Sequence, residues 1–431
     1  MRTILFALAV APCSPAAVAQ QPADPVGAWL DRHASGLEAL YRHLHQHPEL
    51  SFREVETAGR LADELRALGL DVTEQVGGTG VVAVLRRGDG PVGLLRADMD
   101  ALPIAEETGL PYASEVRAAS ADGRAIGVMH ACGHDLHMAC LVGAAGYFAA
   151  HPDAFAGTLV FQLQPAEERS GGMRAMLQDG LLTRFPRAEW AIALHTAHDL
   201  PVGTVGVRSG PAMANVDSCD ITVYGRGGHG AAPHLTIDPI VQAARLVIDL
   251  QTIVSREIDP VEACVITVGS IHGGQKHNIV PDECHLQLTI RSYTDAVRAQ
   301  MLAAIERKAR AVAASCGAKE PKVAFSEGTP ALWNHDALTA RVRAGLGAAL
   351  GAENVVDVAP AMVAEDFGRL RGAGVPLCMF RLGTVLPERL AALRAEDALP
   401  VLHSNRYYPD YREALRVGVR ALVAAARSAA R

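Results

Sequence analysis

The run MHACGHDLHMA, at residues 129–139, concentrates side chains that can bind a metal ion. His130, Cys132 and His134 follow one another at a spacing of two residues, with Asp135 and His137 beside them. On a strand or an extended loop this spacing places all three side chains on one side, which predicts a row of thiol and imidazole donors. A polar loop with several histidines is the alternative interpretation, because a local cluster needs distant partners before it forms a metal site.

Two glutamates provide one set of partners. Glu167 and Glu168 follow the apolar run TLVFQLQ. On an extended backbone adjacent side chains point in opposite directions, so one glutamate is expected to bind metal and the other to face the substrate. A solvated strand end is the alternative for this pair.

Histidines and aspartates at the ends of other segments complete the candidate set. His195 ends the apolar run WAIALH, and His403 lies in the run LHSNRYYPD near the C-terminus. Each of these histidines alone also fits a structural role. Asp98 and Asp100 follow the apolar run at 92–97, where either carboxylate could orient a histidine.

Helices and apolar strands alternate around these residues. Apolar side chains recur at helical spacing over 37–44 and 58–65, and short apolar runs lie at 81–86, 92–100, 158–164 and 190–195. This pattern predicts an α/β fold with a buried central sheet flanked by helices. The candidate ligands stand at strand ends, where open α/β sheets place their sites.

The pattern of predicted strands and helices changes near residue 213. Longer strands with alternating polar residues are separated by helical segments at 238–255 and 295–315, an order that predicts a small sheet with helices on one face. The α/β pattern of the first part then returns and continues to the C-terminus. We therefore expect a discontinuous catalytic domain, residues 20–212 and 328–431, and an inserted smaller α+β domain, residues 213–327.

Composition excludes several classes of protein. The 431 residues are 49% hydrophobic, enough for two cores, and the net charge of −7 comes with both signs scattered. The absence of a basic stripe argues against nucleic-acid binding, and no apolar run approaches the roughly 18 residues of a membrane span. No C-x-x-C pair supports a redox role.

The N-terminus has the composition of a secretory signal. Arg2 precedes the run ILFALAVAP, and an A-x-A triplet ends at Ala19. This predicts a signal peptide over residues 1–19, cleaved after Ala19, and an exported periplasmic or secreted protein. An ordinary N-terminal extension is the alternative.

Five motifs resemble those of a known family. RADMDALPI, HACGHDLHMA, PAEE, GRGGHGAAPH and HNIVPDE occur in the order and spacing of the metallo-amidohydrolases, which include hippurate hydrolases, aminoacylases and indoleacetyl-amino-acid hydrolases. The resemblance extends from about Leu37 to the C-terminus. It implies an α/β catalytic domain with an inserted domain that acts as a lid and forms a homodimer.

The resemblance also implies a centre with two divalent metal ions. Cys132 would bridge both ions, His134 and His195 would complete one, and Glu168 and His403 the other. This donor set suits Zn, and its carboxylates also admit Mn, Co or Ni. We expect the metal to be Zn or Mn.

The same resemblance assigns catalytic and substrate-binding roles. Glu167 would be the general base, while the two cations would polarise the amide carbonyl and generate hydroxide near neutral pH. His229 would reach over the site, often from a dimer partner, and donate to the tetrahedral intermediate. Asn278 and Arg291 would lie near the substrate, with a surface role as the alternative for Arg291.

Further residues have supporting roles in this scheme. Asp98 and Asp135 are expected to orient the ligands, and Glu365, in AEDFG, to lie near the site. His130 and His137 are not ligands in the family. The glycines around His229 do not indicate a phosphate loop, because no Walker lysine follows.

The implied activity is metal-dependent hydrolysis of the amide bond of small N-acyl amino acids. A dipeptidase or carboxypeptidase with the same centre is the alternative, and a noncatalytic metal- or ligand-binding protein is a rival of another class. Glu167 argues against the binder, since a pure binding site needs no base. The segment 381–400 departs from the family pattern, which puts the choice of substrate in doubt.

Overall fold

In the computed structural model, which describes residues 24–120, 123–326 and 328–431, helices and strands alternate along the chain. The described α-helices are α1 (Pro25–Gln46), α2 (Val55–Ala67), α3 (His134–Ala150), α4 (Gly172–Gln178), α5 (Pro239–Thr252), α6 (Asp295–Ser315), α7 (Asp336–Leu350), α8 (Arg369–Gly372), α9 (Pro387–Ala395) and α10 (Tyr411–Ala429). No helix in these ranges combines the length and the apolar character needed to cross a membrane.

The strands follow the predicted apolar runs. They are β1 (Asp71–Val76), β2 (Gly80–Arg87), β3 (Val92–Asp98), β4 (Arg117–Ala119), β5 (Ala125–Gly127), β6 (Gly157–Gln164), β7 (Trp190–Pro201), β8 (Val205–Val207), β9 (Gly210–Met213), β10 (Asn215–Tyr224), β11 (Gly228–His229), β12 (Cys264–Gly273), β13 (Ile279–Val280), β14 (Glu283–Ser292), β15 (Lys322–Phe325), β16 (Leu332–Asn334), β17 (Val355–Asp357) and β18 (Leu377–Val385).

An eight-stranded mixed sheet forms the larger part of the fold, in the order β1-β2-β6-β3-β7-β18-β8-β17. Its four central strands, β6, β3, β7 and β18, are mutually parallel. Their carboxyl ends therefore point to one edge, where the chain places Asp98 and the PAEE turn, while His195 lies within β7, which continues to Pro201. The predicted central sheet is confirmed, and its edge is the one at which α/β sheets bind ligands.

Helices cover both faces of this sheet. One face packs against α1, α2, α3, α7 and α10, and the other against the short helices α4 and α8. Helix α3 is buried from His134 to Phe148, so it has no polar face, as expected of a helix enclosed between a sheet and other helices. That burial fixes the N-terminal end of α3 at the edge of the sheet.

A second, antiparallel sheet in the order β12-β14-β10-β15 confirms the predicted inserted α+β architecture. Helices α5 and α6 pack on one of its faces around a separate apolar core that includes Leu246, Leu286 and Ile305. Next to this sheet, β9 and β16 pair with each other. They lie where the chain passes from the part with the eight-stranded sheet into the inserted part and back again. Strand β12 lies at the outer edge of the small sheet and pairs only with β14 among the described strands.

Candidate metal centre

The HACGH run is a tight turn and a helix start, and not the extended segment that the spacing suggested. Gly133 has a φ of 80°, a left-handed conformation that glycine adopts without strain, and His134 is the first residue of α3. The turn sends Cys132 and His134 to the sheet edge. The side chain of His130 is buried elsewhere, and neither of its ring nitrogens has a hydrogen-bond partner among the described residues.

Two groups of donor atoms share the Cys132 thiol. The ligand atoms of Cys132, His134 and His195 lie within 4.8 Å of one another, and so do those of Cys132, Glu168 and His403. The Cys132 Sγ atom is 3.6 Å from His195 Nε2, and His403 Nε2 is 3.4 Å from Glu168 Oε1. The chain thus brings together all five residues that the resemblance implied as ligands.

Backbone carbonyls orient two of the imidazoles. His134 Nδ1 donates to the carbonyl of Asp100 at 2.8 Å, and His195 Nδ1 donates to the carbonyl of Thr196 at 2.9 Å. A carbonyl only accepts, so these bonds place the proton on Nδ1 and leave Nε2 with a free lone pair. This is the arrangement by which proteins prepare histidine for a metal ion.

The hydrogen bonding and the pKa values of the donor groups are those expected of a cation-binding site. His134 Nε2 and Glu168 Oε1 are buried without a hydrogen-bond partner among the described residues. Burial and the neighbouring Glu168 carboxylate raise the pKa of the Cys132 thiol, so a thiolate there requires a nearby positive charge. Burial holds the pKa of His195 well below its ordinary range, with His137 and Arg381 adding to the effect, which keeps the ring in its neutral, metal-binding form.

The PAEE motif also differs from its expected extended shape. Ala166 has a φ of 48°, and Glu167 and Glu168 lie in the turn that follows β6. Their carboxylates do not point in opposite directions: both lie within 4.8 Å of each other and of the His134 ring. Burial raises the pKa of Glu167 well above its ordinary value, and the carboxylates of Glu365 and Glu168 raise it further.

Asp100 holds this turn in place. Its two carboxylate oxygens accept the backbone N–H groups of Glu167 and Glu168, each at 3.0 Å, and the Ser51 hydroxyl donates to one of them at 2.7 Å. Since the Asp100 carbonyl also orients His134, one residue positions both glutamates and a histidine. The sequence alone indicates Asp100 only as a partner for a histidine.

The two aspartates expected beside the ligands have different surroundings. Asp98 accepts a hydrogen bond from His137 Nδ1 at 2.6 Å and lies 3.6 Å from His134 Nε2. Asp135 instead accepts from His45 Nδ1 at 2.6 Å, and thereby joins α3 to α1. Its hydrogen bonds in the described residues do not reach the side chain of a candidate ligand, because the first turn of α3 points this carboxylate away from the donor groups.

A buried charge cluster lies behind Glu167. Arg96 is buried and donates to Asp98 at 2.7 Å and to Glu365 at 2.8 Å. Asp366 accepts from Gln164 at 2.5 Å, and the ligand atoms of Glu167, Glu365 and Asp366 lie within 4.8 Å of one another. The sequence predicts Glu365 near the site but does not single out Arg96 or Asp366. The spacing of 96, 98 and 100 along β3 and just beyond it was the available signal, since such residues share one face of a strand.

The residues predicted in the inserted domain divide into two groups. Arg291 lines a cavity of about 980 Å³ together with Cys132, Glu167 and His403. His229 and Asn278 are exposed and do not line that cavity in their own chain. These two residues lie close together on paired short strands, because the Gly230 N–H donates to the carbonyl of Asn278 at 2.9 Å.

Comparison with known proteins identifies the family. The model described as Peptidase family M20/M25/M40 matches residues 94–397. The chain belongs to this family. It is 40% identical to the N-acetyl-L-cysteine deacetylase of Bacillus subtilis over 333 residues, which cover 77% of this chain and 76% of the relative. It is 38% identical to thermostable carboxypeptidase 1 of Saccharolobus solfataricus over 352 residues, which cover 80% of this chain and 85% of the relative.

A solved structure extends the likeness to the whole M20 fold. A dinuclear metal-binding peptidase of the M20 family from Bacillus subtilis superposes with a TM-score of 0.77 at 30% identity, over 92% of this chain and 98% of that one. The resemblance seen in the sequence is confirmed, as is the prediction of an amidohydrolase with two divalent metal ions. A noncatalytic binding protein is thereby set aside.

The predicted export of this M20 hydrolase to the periplasm or the medium is wrong. Its relatives include deacetylases of Bacillus subtilis at 38–40% identity, and these matches do not support export. One arginine, a short apolar run and an A-x-A triplet are features of composition that an alanine-rich segment can also have without directing export. The proposed signal peptide, residues 1–19, lies outside the described residues.

Substitution Asp100→Asn tests the positioning role of Asp100. An amide has only one oxygen to accept the two N–H groups, so the Glu167–Glu168 turn shifts, and misplacement of a catalytic group by about 1 Å costs on the order of a hundredfold in rate. We expect kcat for amide hydrolysis to fall by about that factor while the fold is kept, as measured by steady-state kinetics and circular dichroism. Ser51→Ala, which removes a single bond to Asp100, is the matched control and should cost less than about tenfold; equal losses in both variants would contradict the assignment.

Proposed function

We propose that this M20 hydrolase cleaves the amide bond of N-acyl amino acids, releasing a carboxylic acid and an amino acid. The position of Glu167 supports this proposal most directly. Its buried carboxylate lies beside His134 and Glu168, which belong to the two donor groups that share the Cys132 thiol. A base beside a metal centre is what amide hydrolysis requires and what simple binding does not. The deacetylase relatives support an acyl amino acid as the substrate.

Glu167 and Asp100 then have distinct roles in the reaction. Two divalent ions bound here would supply a Lewis acid for the amide carbonyl and lower the pKa of water. Glu167 takes a proton from the attacking water and returns it to the leaving nitrogen. Its raised pKa suits a group that must both accept and release a proton. Asp100 keeps its carboxylate in position for both transfers.

The ligand assignment follows the two donor groups. We infer that Cys132 would be a ligand common to both ions, that His134 and His195 would complete one site, and that Glu168 and His403 would complete the other. His403 has a φ of 68°, and its backbone N–H donates to the Ala131 carbonyl at 2.9 Å, so its loop is fixed beside the HACGH turn. Thiolate and imidazole favour Zn, and the carboxylate admits Mn, so Zn or Mn is the proposed metal.

A homodimer through the inserted domain is part of the proposal. The inserted domain, taken as residues 213–327, has an open edge at β12 and exposed apolar side chains, including Val241, Ile248 and Ile271. An open strand edge with apolar neighbours favours pairing with a second chain. Such a partner would bring its exposed His229 and Asn278 over the cavity, where His229 would donate to the oxyanion.

Removing the bridging thiol should remove metal. In Cys132→Ala both donor groups lose their common ligand, so we expect the purified variant to hold fewer than half the metal ions of the wild type, as counted by inductively coupled plasma mass spectrometry. Cys140→Ala, another buried cysteine that belongs to neither donor group, is the matched control and should keep its metal. Full metal content in Cys132→Ala would refute the bridge.

Glu167→Gln should separate chemistry from metal binding. The amide cannot take up the proton, so we expect the metal content to be kept and kcat to fall by about a hundredfold to ten-thousandfold, the usual contribution of a general base. The assay measures amino-acid release from N-acetyl and N-benzoyl amino acids and from dipeptides by mass spectrometry, with exposed Glu262→Gln as the control. Near-normal rates in Glu167→Gln would remove it as the base, and release from dipeptides alone would make the protein a peptidase.

Mixed dimers test the contribution of His229. His229→Ala and Glu167→Gln chains should each be nearly inactive alone. If His229 acts in the site of its partner, random re-pairing of equal amounts restores about one quarter of wild-type activity, because half of the dimers are mixed and each has one complete site. Activity that stays at the level of the separate variants would place His229 in the site of its own chain or outside catalysis. Light scattering measures the dimer itself.

A further inference from the structure

The wall of the cavity beyond His195 is positively charged and has no role in the reaction just described. Arg381, on β18, lines the cavity together with His198 and with Arg394, on α9. Arg381 is also the first residue of the segment 381–400, which departs from the family pattern. The guanidinium of Arg291 lines the same cavity from the inserted domain, where it donates to the Met362 carbonyl at 2.7 Å.

Strand register places Arg381 next to a candidate ligand. Arg381 is paired with His195 across the parallel strands β18 and β7, which lie about 4.8 Å apart in such sheets. Met379 and Ala193, two residues earlier on each strand, belong to the same apolar core. By the alternation of strands, Arg381 and His195 therefore start from the same face of the sheet.

Arg381 lacks a partner for its charge. It makes no ion pair within the described ranges, and its Nε atom is buried without a hydrogen bond. The Nδ1 atom of His198, in the same wall, is also buried without a partner. Buried donors and acceptors of this kind cost free energy unless a ligand or water satisfies them.

Two aspartates also line the cavity, and neither is paired with Arg381. Asp357 forms an ion pair with Arg343. Asp199 is exposed, and its backbone carbonyl accepts a bond from Arg394 at 2.6 Å. Arg381 is thus a half-buried cation that faces the substrate space without a carboxylate of its own.

We propose that Arg381 binds a second carboxylate of the substrate, so that the enzyme prefers N-acyl amino acids with two carboxylates. The inference rests on the proposed function and names the substrate class for that site. Arg291 is left to the α-carboxylate, and the planar fork of Arg381 suits a bidentate bond to the other. The second carboxylate belongs either to an acidic amino acid or to a dicarboxylic acyl group.

Three substrates distinguish these sources: N-acetyl-L-methionine with one carboxylate, N-acetyl-L-glutamate with an acidic side chain, and N-succinyl-L-methionine with an acidic acyl group. For the wild type we expect the highest kcat/KM on one of the two dicarboxylates, which identifies the source. In Arg381→Gln that value should fall at least about tenfold, mainly through KM, as expected for loss of a charge-assisted hydrogen bond. The loss on N-acetyl-L-methionine should be much smaller, and Arg381→Lys should recover part of the preference.

Arg341→Gln removes the same charge from an exposed position on α7 and should leave all three values unchanged. Equal losses on all three substrates in Arg381→Gln, or a wild type that prefers N-acetyl-L-methionine, would overturn the proposal. Binding is measured separately by calorimetry in metal-loaded Glu167→Gln, with and without Arg381→Gln. If the wild type hydrolyses none of these amides, the proposed function fails, while a dicarboxylate affinity that is insensitive to Arg381 rejects the present inference alone.

Discussion

The geometry of the centre depends on the hydrogen bonds of Asp100. This residue follows β3, the strand between β6 and β7, so it lies between the turn that carries the glutamates and the strand that carries His195. Its carboxylate accepts the backbone N–H groups of Glu167 and Glu168, and its carbonyl accepts the Nδ1 proton of His134. Three side chains from two distant segments are thereby fixed against one residue, which limits how far any of them moves without the others.

The buried charges beside this residue are not balanced by the side chains alone. Asp98, Glu365 and Asp366 surround the single guanidinium of Arg96. Burial raises the pKa of Glu365 to about 7 and that of Asp366 to about 6, since one arginine does not balance three carboxylates beside Glu167. A group of buried carboxylates with so little cationic compensation is unfavourable on its own. Divalent ions held by the adjacent donor groups would supply the missing positive charge, so metal binding would stabilise this end of the sheet.

Much of the fold and the site could be predicted from the sequence, for identifiable reasons. Runs such as 158–164 and 190–195 are apolar because they are buried on both faces. The end of β6 therefore marked Glu167 correctly, whereas β7 does not end at His195 but continues to Pro201. Local backbone shape could not be read in the same way. Gly133 and Ala166 adopt left-handed conformations that turn the HACGH and PAEE segments, and the pattern of side chains alone does not reveal them. Arg96 was missed because a charged residue in an apolar strand is normally read as an edge residue, whereas here its partners come from residues 365 and 366, far along the chain.

Two parts of the cavity wall have opposite charges, and this polarity would give the proposed substrate a direction. Around the donor groups, the thiol of Cys132 and the carboxylates of Glu167 and Glu168 favour cations. Arg291, from the inserted domain, and Arg381, beside His195 on β18, line the same cavity as cations. A substrate with a neutral amide and two carboxylates would satisfy both parts when the amide lies at the donor groups and the carboxylates lie at the arginines. Charge would then set the orientation of the substrate before the acyl chain makes contact. The apolar residues of the cavity, such as Met213 and Val363, would select for the size of the acyl group or side chain.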